Sequence, residues 1–173
     1  MRSVKAIGLI LSLLGLPLAD DVMAQATQAT IGAEAAAFTA RFGKPLQDVG
    51  PAKFYTPCAG SESGAKWGIT LKGSKVTSIE RSACGPERLD SATVKKEAVA
   101  MMPSDAAPVR EFRSADGRQV QEYRSSSLSK SFAADDFVTC DAEGRIQKVQ
   151  QGTLSFATAA DGRSWHLILG TCF

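Results

Sequence analysis

The chain has 173 residues, 44% of them hydrophobic and 22% charged, with a formal net charge of +2 at pH 7. Its 20 Lys and Arg are interleaved with 18 Asp and Glu, which excludes the concentrated basic face of a dedicated nucleic-acid binder. The length suits one domain, or two small half-domains that share a core.

The first 26 residues read as an export signal. Arg2 and Lys5 give a positive start, residues 6–19 form an apolar run, and Ala24-Gln25-Ala26 is a small-x-small cleavage site. The run is shorter than the ~20 residues a membrane span needs. No second long apolar stretch follows, so no membrane span is expected. No cysteine stands at the cleavage point, so a lipid anchor is not indicated. The expected mature chain is residues 27–173.

Residues 27–32 read as a leader. Residues 33–42 are Ala-rich, with Phe38 and Phe42 at i, i+4 spacing, and predict a short helix stopped by Gly43 and Pro45. Residues 54–56 predict a strand and 59–65 a Gly/Ser loop. Trp67, Ile69 and Leu71 alternate as a half-buried strand does. Residues 72–75 turn the chain and 76–81 return. Asp90 or Ser91 caps a second helix running to Met102, with Val94, Ala98, Met101 and Met102 on one face and Pro103 ending it.

Three similar tetrapeptides then recur: Ala115-Asp116-Gly117-Arg118, Ala142-Glu143-Gly144-Arg145 and Ala160-Asp161-Gly162-Arg163. Each lies between two β-rich runs: 109–113 and 119–125, 137–140 and 145–149, 154–158 and 165–169. Tight hairpin turns need positive φ, which glycine adopts without strain, so these are read as hairpin turns. Calcium loops would need more carboxylates at alternate positions than each site offers.

Four cysteines, Cys58, Cys84, Cys140 and Cys172, all follow the export signal. An even count in an oxidising compartment reads as two disulfides. Zinc is disfavoured by the wide spacings and by a single histidine, His166. Of the three possible pairings, Cys58–Cys84 with Cys140–Cys172 is expected, because each pair brackets one half of the chain. The fold class is therefore α+β: about eight strands, tight hairpins, and two loosely repeated units (33–84 and 87–173), each a helix plus an antiparallel meander with its own disulfide.

The stretch "FTARFGKP" (38–45), the aromatic pair Phe54-Tyr55 and "WGITLKGSKVTSI" (67–79) carry a resemblance. They resemble the family of small outer-membrane assembly lipoproteins and β-lactamase inhibitory proteins. The similarity covers about residues 33–81. It implies a bacterial envelope setting, periplasmic or secreted, and binding or inhibition of a protein partner. The missing anchor cysteine departs from the lipoproteins.

Catalytic motifs are sparse. Ser127-Leu128-Ser129-Lys130 fits S-x-x-K, but that chemistry needs a larger domain with further partner motifs. The stretch is read as a polar loop with Leu128 and Phe132 turned inward. His166 shares a strand face with Ile168, opposite Trp165, Leu167 and Leu169, and reads as structural or exposed. Glu80, Glu87, Glu111, Asp135 and Asp136 are read as surface groups, since a glycosidase needs two carboxylates facing across a cleft. No cofactor motif and no metal-ligand set is found. Trp67 and Trp165 are assigned to the core. The candidate binding residues are Arg110, Arg113, Arg118, Tyr123 and Arg124, gathered on one expected hairpin and of types enriched at interface hot spots. The leading expectation is a non-enzymatic protein-binding module. The alternatives are a small secreted hydrolase using a carboxylate pair or His166, and a purely structural envelope protein.

Overall fold

The structure is a computed structural model that describes residues 28–60, 64–114, 116–140 and 145–172. The expected export signal and the Glu143-Gly144 turn lie outside the described residues. Among those residues the order is α1 (Ala35–Phe42), β1 (Gln47–Val49), β2 (Ala52–Pro57), β3 (Ala65–Lys72), β4 (Lys75–Ser82), α2 (Ser91–Ala100), β5 (Ala107–Arg113), β6 (Gln119–Arg124), α3 (Ser126–Ser131), a 3-10 turn (Ala134–Asp136), β7 (Val138–Cys140), β8 (Ile146–Lys148), β9 (Thr153–Thr158) and β10 (Ser164–Leu169).

Eight strands form one sheet in the order β1-β2-β3-β4-β10-β9-β6-β5. Every neighbouring pair is antiparallel. β7 and β8 form a small separate hairpin, tied to the end of β10 by a Thr139–Thr171 bridge. The fold is thus α+β with antiparallel sheet, as the residue pattern predicts. Both disulfides are the expected ones: Cys58, after β2, joins Cys84, after β4, and Cys140, at the end of β7, joins Cys172. No helix among the described residues is long and apolar enough to cross a membrane.

The turn motif works as anticipated where it is described. Gly117 and Gly162 take φ of 85° and 69°. In each turn the aspartate reaches two residues on: Arg118 N–H donates to Asp116 Oδ1 at 3.4 Å, and Arg163 N–H to Asp161 Oδ1 at 2.9 Å. These side chains stand in for a backbone turn bond.

Local differences from the residue pattern have identifiable causes. α1 begins at Ala35, not Ala33, because the preceding residues run beside β4. There Gly32 N–H donates to Val76 O, Val76 N–H to Ala33 O, and Ala35 N–H to Ser74 O. β1 carries three exposed residues with no alternation to betray it; Gly50, at φ 58°, folds it onto β2. α2 has its cap in Asp90, which accepts from Thr93 N–H at 2.8 Å. It stops two residues short of Met102, where the amide of Met101 turns back to Ala98 O.

The largest correction concerns residues 126–131, expected as a loop and found as α3. Ser125 caps it, accepting from Leu128 N–H at 3.2 Å. Asp105 accepts from Ser127 N–H at 2.8 Å and from the hydroxyls of Ser125, Ser126 and Ser127. Burial alone would raise the Asp105 pKa, but these hydrogen bonds hold its carboxyl well below the usual range. A carboxylate some twenty residues upstream satisfies one of the first-turn amides, and the Ser125 hydroxyl another, of those that make a short helix costly. Leu128 and Phe132 do turn inward. Ser127 bonds to Asp105, so the S-x-x-K reading has no serine–lysine contact behind it.

The core lies on one side of the sheet. Tyr55, Trp67, Ile69, Ile79, Leu154, Trp165 and Leu167 pack with Phe38 of α1, Val94 and Ala98 of α2 and Leu128 of α3. Trp67 and Trp165 meet edge to face, 5.6 Å between centroids, a favoured aromatic geometry.

Two outcomes follow. A Cβ on Gly170, which has φ 74°, would sit 2.0 Å from Val138 O, so Gly170→Ala is expected to cost about 3 kcal/mol or more, read as a drop in urea midpoint. The disulfides close separations of 26 and 32 residues. Reduction is expected to remove up to about 3–4 kcal/mol per bridge on the chain-entropy account. Urea titration with and without reductant measures that loss.

Candidate functional site

Strand alternation sends every second side chain to the sheet face opposite the helices. Cross-strand pairing lines these up in rows. One row runs Phe54, Gly68, Glu80, His166, Ala157, Val120, Phe112 across seven strands. The next runs Ala52, Thr70, Ser78, Ile168, Ser155, Glu122, Arg110. None of these residues belongs to the helix-side core. Glu80, His166 and Ile168 hold the middle of the face, Ala157 and Ser155 beside them are fully buried, and aromatic and charged groups stand toward its ends.

At the β5–β6 end Glu122 is buried between two arginines. Arg110 donates to Glu122 Oε2 through both Nε (3.1 Å) and Nη2 (2.9 Å), and Arg124 Nη2 lies 3.8 Å from Oε1. The Arg110 guanidinium also lies over Phe112, 4.9 Å from the ring centroid. One carboxylate thus fixes two cations, and the group keeps a net positive charge. Arg110 remains 61% exposed while Glu122 is 7% exposed, so the arginine presents outward a guanidinium already held in place. At the other end Phe54 leans over Gly68, whose missing Cβ would stand 3.4 Å from its ring.

The centre holds His166, with Nε2 3.8 Å from Glu80 Oε1. Ser82 Oγ donates to the same carboxylate oxygen at 3.1 Å. Burial lowers the His166 pKa; Glu80 opposes this and Arg118 adds to it. Burial thus favours the neutral imidazole. No hydroxyl among the described residues bonds to it, and all described cysteines are in disulfides. Among the described residues, His166 thus has no bonded hydroxyl or thiol beside it.

The five arginine and tyrosine residues singled out from the sequence separate in the structure. Arg110 and Arg124 share the open face. Arg118 sits at the β5–β6 turn, 2.7 Å from Asp116. Arg113 and Tyr123 fall on the helix side. Tyr123 belongs to the core, with its hydroxyl donating to Gln121 at 2.7 Å. The strands do not present Arg and Tyr together because β6 alternates them to opposite faces. The carboxylates also scatter. Glu80 is on the open face and Glu111 on the helix side. Asp135 pairs with Lys148 at 2.6 Å and Asp136 with Lys72. Ile168 is placed on the His166 face by the strand pattern, while Phe54, Phe112 and Glu122 are not joined to it, since only strand order puts them on that face. Among the described residues no group of three or more His, Cys, Asp or Glu could hold a metal ion.

Comparison with protein-family models, with curated proteins and with solved structures finds no match.

The lowered His166 pKa sets a pH dependence. Below pH ~6.5 the unfolded state takes up a proton that the folded state refuses. Stability is therefore fully present above that pH and falls as pH drops toward the native pKa. Urea midpoints between pH 7.5 and pH 5 are expected to decline, and His166→Gln is expected to flatten the decline.

Proposed function

We propose that this protein is an exported, non-enzymatic module of the bacterial envelope, periplasmic or secreted, that binds another protein through the open face of its sheet. Its role is inhibition or assembly support. The observation that carries the reading is the face itself: an eight-stranded platform with His166 near its centre and Phe54, Phe112 and an ion-paired Arg110 toward its ends. Aromatic residues and Arg dominate interface hot spots, and side chains held rigid before docking lose less entropy on binding. Two disulfides support an oxidising compartment. The export signal and the sequence resemblance support the envelope setting and the protein partner.

A photo-crosslinking amino acid placed at Thr70 or Phe112, on the open face, is expected to trap one and the same envelope protein. The same amino acid at Lys96, on α2, is expected to trap none. Arg110→Ala and Phe112→Ala are each expected to weaken the isolated complex more than tenfold, about 1.4 kcal/mol. Crosslinking from α2 in place of the sheet face, or affinity indifferent to both substitutions, overturns the reading.

A further inference from the structure

The two long helices cover their halves of the sheet unequally. Under α1, Phe42 stands 5.1 Å from the Trp67 ring and 6.0 Å from Tyr55, and the space is filled. α2 turns only Val94 and Ala98 into the core. Beneath its first turns the sheet carries Gln121, Glu111 and Gln119. A groove of about 350 Å³ remains between α2, the β9–β10 turn and strands β5, β6 and β9. That volume lies in the range of small-molecule sites, which pair an apolar lining with a few placed polar groups.

The lining has that character. Leu89, Val94 and Phe156 form an apolar wall and floor, and Arg88 and Lys95 stand at the sides. Neither cation has an ion-pair partner among the described residues. The Arg88 stem lies along Gly162, where a Cβ would meet its Cδ at 3.6 Å. The one carboxylate, Glu111, already accepts from the Gln119 amide. Gln121 uses its carbonyl oxygen to accept from Tyr123 Oη at 2.7 Å, leaving its amide N–H groups to donate into the groove. Glu111 and Gln119 are exposed at the open side of the groove, and Gln121 is half-buried on its floor. Unpaired cations beside an apolar wall fit a ligand with one negative charge and an apolar body.

We propose that this groove binds a small organic monocarboxylate. Its apolar body lies against Leu89, Val94 and Phe156, its carboxylate sits between Arg88 and Lys95, and Gln121 donates to it from the floor. Glu111 disfavours a second negative charge. The site is on the helix side of the sheet and does not depend on the protein-binding reading of the other face.

The test is calorimetric titration of the oxidised protein with 1-naphthoate, with neutral 1-naphthamide as the matched control. Saturable one-to-one binding with Kd below ~1 mM is expected. The amide is expected to bind at least fivefold more weakly. Arg88→Gln with Lys95→Gln is expected to weaken the acid at least fivefold while leaving the amide unchanged. Ser91→Trp, at the exposed mouth, is expected to abolish binding of both. Absence of saturation, equal affinity for acid and amide, or indifference to the Arg88 and Lys95 substitutions overturns the proposal. All three positions are exposed on the surface, and the urea midpoint of each variant verifies that it folds.

Discussion

The pairing of β4 with β10 is the contact on which the rest of the architecture depends. It sets Ile79 opposite Leu167 and Arg81 opposite Trp165, joining β1–β4 to the strands that follow α2. Around this seam the side chains form one cluster. Trp67 meets Trp165 edge to face, Arg81 lies 5.2 Å from the Trp67 ring centroid, and Glu97 of α2 reaches both Arg81 Nε (3.7 Å) and Trp165 Nε1 (3.4 Å). A partly buried guanidinium is tolerated there because two aromatic rings and a carboxylate surround it. Without this pairing, β4 and β10 would each end in a row of open backbone groups.

The seam leaves two outer edges, and both are blunted. β1 is only three residues long. β5 carries Pro108, which has no N–H to offer, and its register shifts between Pro108 and Arg110. Short edges, proline and bulges are ordinary defences against edge-to-edge association. The faces, not the edges, are then the surfaces open to specific contact. The helix side supplies stability where α1 and α3 cover it, and a groove where α2 does not. The opposite side supplies a broad platform whose charged groups are already paired with one another.

Much of the local structure was legible in residue order. The Asp-Gly turns, the Gly43 stop, the alternation of Trp67, Ile69 and Leu71, and the bracketing cysteines each encode their structure within a few residues or through simple spacing. α3 was not legible, because its Ser127 amide and three serine hydroxyls at its start are satisfied by Asp105, which no local pattern links to it. β1 was not legible, because three exposed residues leave no periodic signal. The site was legible only in part. Arg110 and Arg124 were found through their residue type, while Tyr123, of an equally suggestive type, went to the core.

The sequence by itself determined most of the elements, apart from α3 and β1, and the Asp-Gly turns, since these follow from short-range chemistry and periodicity, and it made one disulfide pairing the expected one of three. Only the tertiary structure decided which strands become neighbours. That choice depends on long-range pairing such as Ile79 with Leu167 and Val120 with Ala157, between residues far apart in the chain. It places Phe54, Glu80, His166 and Phe112 in one row, and it leaves a groove beside α2. Strand order is the sum of many weak side-chain preferences, and no single residue declares it.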